Sequence, residues 1–454
     1  MAEWKKNTVH PLTITGYTAD GAGVARLDGR VVFVPHTISG EVWETLLVKV
    51  NQAMAWGKAL RLLEASPHRV ERDCPHAGRC GGCQYRHMDY GEELAAKSRR
   101  VSDALRRIGG VEAPLSPVLG SEHLLRYRNK VQFPVAAGQD GSTAIGFYRP
   151  RSHDVLDVED CLLQPQAASR LRWAVKAWME EFRVLPYREQ DGTGLLRHLY
   201  VRTNQRGEAL CCLVVNGDAL PGEAELVARL RGVEPGLVGV VLNVNRRDTN
   251  VVLGEGYRTL WGRDVLEETL CGLEFQLSIP SFFQVHTVQT EVLYRKTLEF
   301  AQLTGMETVL DLYCGIGTIS LSMAKQAGRV IGAEIVPRAI RDAKGNADRN
   351  GIGNAEFFCG DAAAVAEKLL REGVRPHVVC VDPPRKGLSP QVPGILATLA
   401  PQRIVYVSCD PATLARDLAR FRELGYEVRR VQPVDLFPRT AHVETIVLLQ
   451  RQHT

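Results

Sequence analysis

Apolar and polar residues alternate in short runs over the first part of the chain. Between residues 7 and 65 the runs LTITGYT, GVARLDGRVVFVP and EVWETLLVKV place an apolar residue at about every second position, with glycine and aspartate between the runs. Period-two alternation interrupted by turn residues is typical of half-buried antiparallel strands. This region therefore predicts a small β-barrel.

The pattern changes from about residue 290 onward. TVLDLYCGIG, RVIGAE, AEFFCGDA and HVVCVDPP each bring a β-favouring run to an acidic residue near its end. RIVYVSCDPAT repeats the arrangement, but the strand stops at Cys409, and Pro411 stands at the first position of an amphipathic helix. Strands that alternate with helices predict an open α/β sheet, in which ligands bind at the carboxyl ends of the strands.

Further strand-like runs with intervening helices, such as KVQFPVAA and HLYVRTNQRGEALCCLVVN, lie between these two regions. A chain of 454 residues with 45% apolar content can form two or three domains with their own cores. We expect a barrel over residues 1–66, a central α+β domain over 67–285 and an α/β domain over 286–454.

The apolar runs are too short to cross a membrane, and the polar start MAEWKKNTVH lacks the apolar stretch of a signal peptide. We therefore expect a cytoplasmic protein without membrane contact. The eleven cysteines then suggest metal binding, catalysis or core packing rather than disulfides. Nothing in the pattern indicates an obligate protein partner, and we expect a monomer.

Positive charge is concentrated in one segment, although the net charge of the chain is only +4. Residues 95–130 hold three acidic residues and eight basic ones: Lys97, Arg99, Arg100, Arg106, Arg107, Arg126, Arg128 and Lys130. Such a block can be a phosphate-binding surface or an ordinary solvated helix face. In Arg126–Lys130 the basic residues alternate with a tyrosine, a combination that suits RNA phosphates and bases.

Three cysteines are grouped in CPHAGRCGGCQYRH, where Cys74, Cys80 and Cys83 have the spacing C-x5-C-x2-C. Three thiolates this close can bind one metal centre, and Cys161 is the best candidate for a fourth ligand. The spacing suits zinc and an iron–sulfur cluster equally. His76 and His87 are nearby, but four sulfurs make them unnecessary as ligands.

Acidic residues mark four successive strand ends in the last domain. Glu334 follows Asp311 by about 20 residues, the separation at which an acid can bind ribose hydroxyls in nucleotide-binding folds. Asp361 and Asp382 end the next two strands. Together these carboxylates predict a nucleoside-binding edge of the sheet; the alternative is that they only cap helices.

The motifs SFFQVH, DLYCGIG, AEIVPRAI, GDA, VDPPRKG, YVSCDPATLARDL and HVETIVLL together resemble those of the S-adenosylmethionine-dependent RNA 5-methyluridine methyltransferases. The pattern DGAGVARLDGRVVFVP resembles the TRAM domain, an OB-like RNA-binding barrel. With CPHAGRCGGC and LRYRNKVQFP it resembles the branch that carries this domain and a four-iron four-sulfur cluster. The resemblance covers nearly the whole chain and implies a Rossmann-like methyltransferase domain that acts on RNA.

The resemblance also implies residue roles, with Cys409 at the position of the nucleophile and Glu444 at that of the general base. The implied contacts to S-adenosylmethionine are Gln284, Tyr313, Glu334, Asp361 and Asp382. The implied ligands of the 4Fe-4S cluster are Cys74, Cys80, Cys83 and Cys161. Thr318 and His286 stand where the family commonly has asparagine, which affects fine cofactor contacts rather than the reaction.

The implied chemistry explains a cysteine at this strand end. Carbon 5 of uracil is a poor nucleophile, and a thiolate that adds to carbon 6 makes it reactive. The helix that begins at Pro411 favours the thiolate of Cys409, whereas Asp410 opposes it, so we expect full ionisation only with substrate bound. Cys314 and Cys380 also lie at strand ends but have no paired base, and we expect them in the core.

Other functions share some of these motifs. An exocyclic-amine methyltransferase usually has an aromatic residue after Asp-Pro-Pro, where this chain has Arg385. An RNA cytosine methyltransferase also uses a cysteine, and a non-catalytic RNA-binding factor could keep the fold. The barrel and the cluster favour 23S ribosomal RNA as the substrate, since the shorter transfer-RNA branch lacks both; the alternative is a transfer RNA uridine.

Overall fold

The N-terminal region of the computed structural model, which describes residues 4–138 and 141–452, is a closed five-stranded barrel. Its strands run in the order β1-β2-β3-β5-β4 and comprise β1 (Val9–Tyr17), β2 (Gly23–Leu27), β3 (Arg30–Val34), β4 (Val42–Val50) and β5 (Met54–Glu64). Alternate residues of the strands, such as Leu12 and Ile14 of β1, fill the interior. The predicted barrel is confirmed.

An irregular segment with the grouped cysteines follows the barrel and leads into helix α1 (Tyr90–Arg107). The carboxylate of Asp89 caps this helix by accepting a hydrogen bond from Glu92 N at 2.8 Å. The sequence predicts that α1 belongs to the central domain. In the structure, α1 packs against a helix of the last domain, and Leu115 and Leu119 pair with Val431 and Val434 in an edge strand of that domain. The segment thus links all three regions.

The central region is a seven-stranded sheet in the order β12-β11-β10-β9-β6-β7-β8. Its elements are β6 (Lys130–Ala137), β7 (Thr143–Tyr148), β8 (Val155–Asp157), α2 (Gln166–Glu181), β9 (Leu196–Thr203), β10 (Ala209–Val215), α3 (Glu223–Val233), β11 (Leu237–Val244) and β12 (Gly256–Gly262). Only β10 and β11 are parallel. A hairpin of β13 (Val265–Leu270) and β14 (Leu273–Ser278) leads to the last domain.

The last domain is a second seven-stranded sheet, in the order β17-β16-β15-β18-β19-β21-β20. Its strands are β15 (Thr308–Leu312), β16 (Arg329–Glu334), β17 (Ala355–Cys359), β18 (Val378–Val381), β19 (Arg403–Ser408), β20 (Tyr426–Val434) and β21 (Glu444–Arg451). Its helices are α4 (Thr287–Ala301), α5 (Thr318–Ala324), α6 (Pro337–Arg349), α7 (Ala362–Arg371), α8 (Val392–Leu399) and α9 (Pro411–Glu423). The predicted α/β fold is confirmed.

Strand direction in this sheet places the candidate residues together. Strands β15 to β19 are parallel, so their carboxyl ends share one edge. Strand β21 is antiparallel to β19, so its first residue reaches the same edge. Among the residues that the structure describes, no helix has the length and apolarity that a membrane crossing requires.

Candidate active site

The turn between β15 and α5 forms the centre of the sheet edge. Tyr313, Gly315 and Gly317 have positive φ angles of 70°, 55° and 84°. A Cβ atom on Gly315 would meet no atom within 4 Å, so the space in front of this turn is open, whereas one on Gly317 would lie 3.2 Å from the ring of Phe357. The turn therefore exposes its backbone on one side and packs tightly on the other.

Two of the predicted carboxylates have different local roles. At the end of β16, Glu334 accepts hydrogen bonds from Gly315 N at 3.2 Å and Val336 N at 2.9 Å, which fixes it beside the glycine turn. Asp361 caps α7 through a single oxygen, which accepts from Ala363 N at 2.9 Å. The capping alternative therefore holds for Asp361, which keeps its second oxygen for other contacts.

Asp311 and Asp382 lie deeper at the same edge. The carboxylate of Asp311 accepts a hydrogen bond from Ser320 Oγ through Oδ2, while its buried Oδ1 has no partner within the described chain. Burial, reinforced by the charges of Asp382 and Glu334, raises the pKa of Asp311 to about 7. Burial also raises the pKa of Asp382 to about 7. Such carboxyls are partly protonated at neutral pH, and a cation placed beside them favours their ionised form.

Cys409 and Glu444 face each other across β19 and β21. Ser408 pairs with Thr445 at the end of the antiparallel ladder, so the next residues, Cys409 and Glu444, are opposite one another. The pKa of Glu444 is raised to about 8, chiefly by burial and also by the charge of Asp382, while the charge of Arg385 opposes the shift. The strand pairing thus brings a carboxyl that titrates near neutral pH to the cysteine.

The pKa of Cys409 is raised to about 12, first by burial and then by the charges of Glu444 and Asp382. The start of helix α9 does not offset this, because Asp410 accepts hydrogen bonds from Ala412 N at 2.9 Å and Thr413 N at 3.0 Å. The free amide groups at the start of α9, which were expected to favour the thiolate, therefore bind the capping carboxylate of Asp410 instead. The thiol is protonated in the free protein, and its ionisation requires a change of environment.

Arg385 and His442 also belong to the site, although the sequence predicted no role for them there. The positive charge of Arg385 lowers the pKa of both Cys409 and Glu444. His442 is held neutral, its pKa lowered to about 4 by burial and the nearby charge of Arg385. Their positions inside VDPPRKG and HVETIVLL were the available signal.

The four grouped cysteines line one cavity of about 380 Å³, together with Arg385 and His442. His76 Nδ1, Arg86 Nε and Gln164 Oε1 are buried, have no hydrogen-bond partner and belong to residues that line this cavity. Within residues 4–138 and 141–452, no three histidine, cysteine or acidic side chains are arranged to hold a metal ion. The cysteines therefore share a cavity without forming a single-ion site.

Two basic residues of the segment 95–130, Lys97 and Arg126, have internal partners, which corrects the interpretation of these two as part of a surface for phosphates. Lys97 is fully buried and donates hydrogen bonds to Glu93 at 2.7 Å and Asp435 at 2.6 Å. Arg126 binds both oxygens of Asp160, at 2.7 and 2.5 Å, and the main-chain oxygen of Cys161 at 3.0 Å. These residues hold the domains and the cysteine segment together.

The residues that differ from the common family pattern also have partners. His286 caps α4, places Nε2 2.9 Å from Ser121 Oγ, and stacks on Tyr127 with ring centroids 4.6 Å apart. Thr318 Oγ1 lies 2.8 Å from the hydroxyl of Tyr294. Gln284 is buried, and its main-chain oxygen accepts a hydrogen bond from Asn129 at 2.9 Å.

Cys314 and Cys380, the two cysteines that were expected in the core, lie there. Cys380 has no exposed surface and Cys314 is 6% exposed. Burial raises the pKa of both thiols far above the ordinary value. Unlike Cys409, neither is partly accessible from the sheet edge.

Comparisons with known proteins identify the family of the chain. Residues 263–452 match the tRNA (Uracil-5-)-methyltransferase family and residues 3–60 match the TRAM domain. An uncharacterized RNA methyltransferase of Clostridium tetani is 44% identical, over 98% of this chain and 97% of that protein. Another, from Halalkalibacterium halodurans, is 44% identical over 99% of this chain and 98% of that protein.

One solved structure is similar over nearly the whole chain. It is the Pyrococcus abyssi tRNA (uracil-54, C5)-methyltransferase in complex with S-adenosyl-L-homocysteine, with a TM-score of 0.77, 27% identity, and coverage of 97% of this chain and 100% of that chain. The fold and the sheet edge are those of an S-adenosylmethionine-dependent RNA methyltransferase. The chain belongs to the uracil-5 RNA methyltransferase family, with a TRAM domain at its N-terminus.

Proposed function

We propose that the protein methylates carbon 5 of a uridine in RNA through a covalent adduct with Cys409. The observation that carries the proposal is the position of Cys409 opposite Glu444, just beyond the last residue pair of β19 and β21, together with the raised pKa of Glu444, about 8. A thiol nucleophile and a base that titrates near neutral pH are the two groups that this reaction needs.

The proposed mechanism begins when Cys409 loses its proton to solvent and its sulfur adds to carbon 6 of the uracil. The electron pair moves to carbon 5 and the adjoining carbonyl. S-adenosylmethionine, when bound, would supply an electrophilic methyl group to carbon 5, with the bond between that methyl group and the sulfonium sulfur broken and the thioether left as product. Ionised Glu444 then removes the proton from carbon 5, and the bond between carbon 6 and sulfur breaks to release the thiolate. Arg385 favours both the thiolate and the carboxylate by its charge.

For cofactor binding, we assign the open space in front of Gly315 to S-adenosylmethionine. Glu334, fixed beside this turn, can accept hydrogen bonds from ribose hydroxyls. Asp361 has one oxygen left for the adenosine, and the negative charge of Asp382 suits the sulfonium. Tyr313 and Gln284 complete the proposed contacts at the edges of the turn and of α4.

For the cysteine cavity, we propose a 4Fe-4S cluster bound by Cys74, Cys80, Cys83 and Cys161. The residues fit such a group because four thiols line one cavity and buried polar atoms of Arg86 and His76 there lack partners. A cluster is wider than a single ion, so its ligands lie farther apart than those of zinc. The group would fix the cysteine segment, where Gln84 N and Tyr85 N bind Arg439 O at 3.1 Å, next to the segment before Glu444.

A test of this cluster uses anaerobically purified protein. We expect a brown protein with iron and sulfide in equal amounts, and loss of both on replacing Cys83 by serine. Replacement of the exposed Cys359 by serine is the matched control and should leave the iron content unchanged. A colourless protein with one zinc ion would contradict the proposal.

Two classes of RNA are candidates for the substrate. The resemblance to the branch with a barrel and a cluster favours 23S ribosomal RNA. The Pyrococcus abyssi enzyme, named for a tRNA uridine, covers 97% of this chain, which favours transfer RNA as a second candidate. Mapping 5-methyluridine in ribosomal and transfer RNA from cells with and without the protein separates the two.

The reaction itself is tested with RNA that contains 5-fluorouridine. Fluorine cannot leave as a proton does, so wild-type protein and S-adenosylmethionine should give a complex that survives denaturation, and Cys409→Ala should give none. Labelled methyl transfer to uridine-only and cytidine-only transcripts distinguishes a uracil from a cytosine methyltransferase. Methylation retained by Cys409→Ala would refute the covalent mechanism, and absence of any methylation by the wild type would favour a non-catalytic RNA-binding role.

A further inference from the structure

A second large cavity lies in the central domain, apart from the sheet edge that holds Cys409. It has a volume of about 750 Å³ and is lined by the end of β6, the β7–β8 hairpin, residues 187–190 and the start of β9. It adjoins the cysteine cavity, because Gln132 and Phe147 line that cavity while Pro134 and Tyr148, farther along the same strands, line this one. Arg79 of the cysteine segment also reaches it.

The cavity combines aromatic rings with a buried guanidinium. Tyr148 is 39% exposed, and its ring centroid is 5.8 Å from that of His153. The ring of Tyr187 is supported by Arg197, whose Cζ lies 4.1 Å from the ring centroid. Aromatic rings held in this way offer faces on which bases can stack.

Two polar atoms in the lining have no hydrogen-bond partner. Arg197 is only 5% exposed, donates to the main-chain oxygens of Asn245 at 2.9 Å and Arg247 at 2.8 Å, and leaves Nε unpaired. His198 Nδ1 is also buried and unpaired, and burial lowers the pKa of this histidine to about 4. A neutral imidazole can donate or accept one hydrogen bond, as a base edge requires. Buried polar groups without partners indicate a place for a polar ligand.

The charge of the lining favours an anion. Arg79, Arg149, Arg188 and Arg197 line the cavity together with three carboxylates, Asp154, Asp157 and Glu189, and Arg188 is paired with Asp191 at 2.5 Å. Asp157 is already bound by Arg172 and by Lys176 at 2.7 Å. Across the part of the chain that the structure describes, neither Arg79 nor Arg149 forms an ion pair, so both are available for phosphates.

We propose that this cavity binds a nucleotide of the RNA substrate other than the methylated one, with its base against Tyr148 and Tyr187 and its phosphate on Arg79 and Arg149. The proposal rests on RNA as the substrate class and not on the chemistry at Cys409. The site adds a contact by which the protein recognises RNA at a distance from the target base.

The test measures RNA binding without methyl donor, so that it does not depend on the methylation chemistry. Single-stranded oligouridylate that carries 4-thiouridine is bound to wild type, Tyr148→Ala and Arg149→Ala, and then irradiated. We expect Tyr148→Ala to weaken binding roughly tenfold, as for the loss of one stacked base. Arg149→Ala should reduce the slope of log affinity against log salt by about one. Crosslinks in wild type should map to peptides that contain Tyr148 or Tyr187.

Arg246→Ala is the matched control, because this exposed arginine pairs with Asp218 outside the cavity. It should leave affinity and crosslinks unchanged. Wild-type affinity in both cavity variants, an equal loss in the control, or crosslinks confined to other peptides would each overturn the proposal. A protein that shows the expected binding but forms no 5-methyluridine would contradict only the proposed reaction.

Discussion

Arg100 donates a hydrogen bond from Nη1 to the main-chain oxygen of Ala441 at 2.6 Å. Its Nη2 lies 3.8 Å from the carboxylate of Asp410. Ala441 is three residues before Glu444 and Asp410 directly follows Cys409, so one guanidinium from α1 joins the two segments that carry the proposed nucleophile and base. The distance between these two residues thus depends on a helix outside the methyltransferase sheet.

We predict that Arg100→Gln lowers kcat by about tenfold or more, because small displacements of reacting groups are costly, and leaves KM for S-adenosylmethionine unchanged. Adduct formation with 5-fluorouridine RNA should slow in parallel. Arg99→Gln is the control, since Arg99 is next to Arg100 in sequence but is half-exposed and pairs with Glu92 instead. Equal activity of the two variants would show that Arg100 has no positioning role.

For Glu444→Gln we predict a stalled reaction. The amide cannot accept the carbon 5 proton, so thiol addition and methyl transfer proceed but elimination does not. With ordinary uridine RNA and labelled methyl donor, denaturing gels should show methylated RNA attached to the protein. Wild-type turnover would eliminate Glu444 as the base, and absence of any adduct would assign it to holding Cys409 in place.

For Glu444→Gln we also predict a change in how the thermal stability of the protein depends on pH. Glu444 has a pKa of about 8 in the folded protein against an ordinary value of 4.5, so between these values the folded state binds more protons than the unfolded state. Stability must then fall as the pH rises through this range. Glu444→Gln removes this loss, and its Tm should exceed that of wild type increasingly as the pH approaches about 8. Glu423→Gln, at an exposed position, should show no such trend.

Lys97→Met should destabilise the protein strongly. Lys97 pairs with Glu93 and Asp435, and all three side chains are fully buried, so the variant leaves Asp435 without this cation and Glu93 with only Arg439, 3.7 Å away. Loss of one partner from such a group typically costs about 3–5 kcal/mol. Urea unfolding followed by circular dichroism measures this cost. Arg106→Met, in an exposed pair with Asp103, should change the free energy of unfolding by less than about 1 kcal/mol.

The sequence alone determined the barrel, the α/β alternation and the position of Cys409 at the end of a strand. These features depend on local patterns: period-two alternation, a strand followed by a glycine turn, and Pro411 at the start of a helix. The three grouped cysteines were also visible in the sequence, because they lie within ten residues of one another. Such patterns are visible because the residues that decide them are close in sequence.

Only the tertiary structure decided how each side chain is used. That Glu444 faces Cys409 follows from the antiparallel addition of β21, and the raised pKa values follow from burial by distant segments. Lys97 and Arg126 resemble surface cations in the sequence, yet their partners Asp435 and Asp160 lie far along the chain. The reason is physical: the protonation and partners of a charged group depend on its whole three-dimensional surroundings, which no local pattern records.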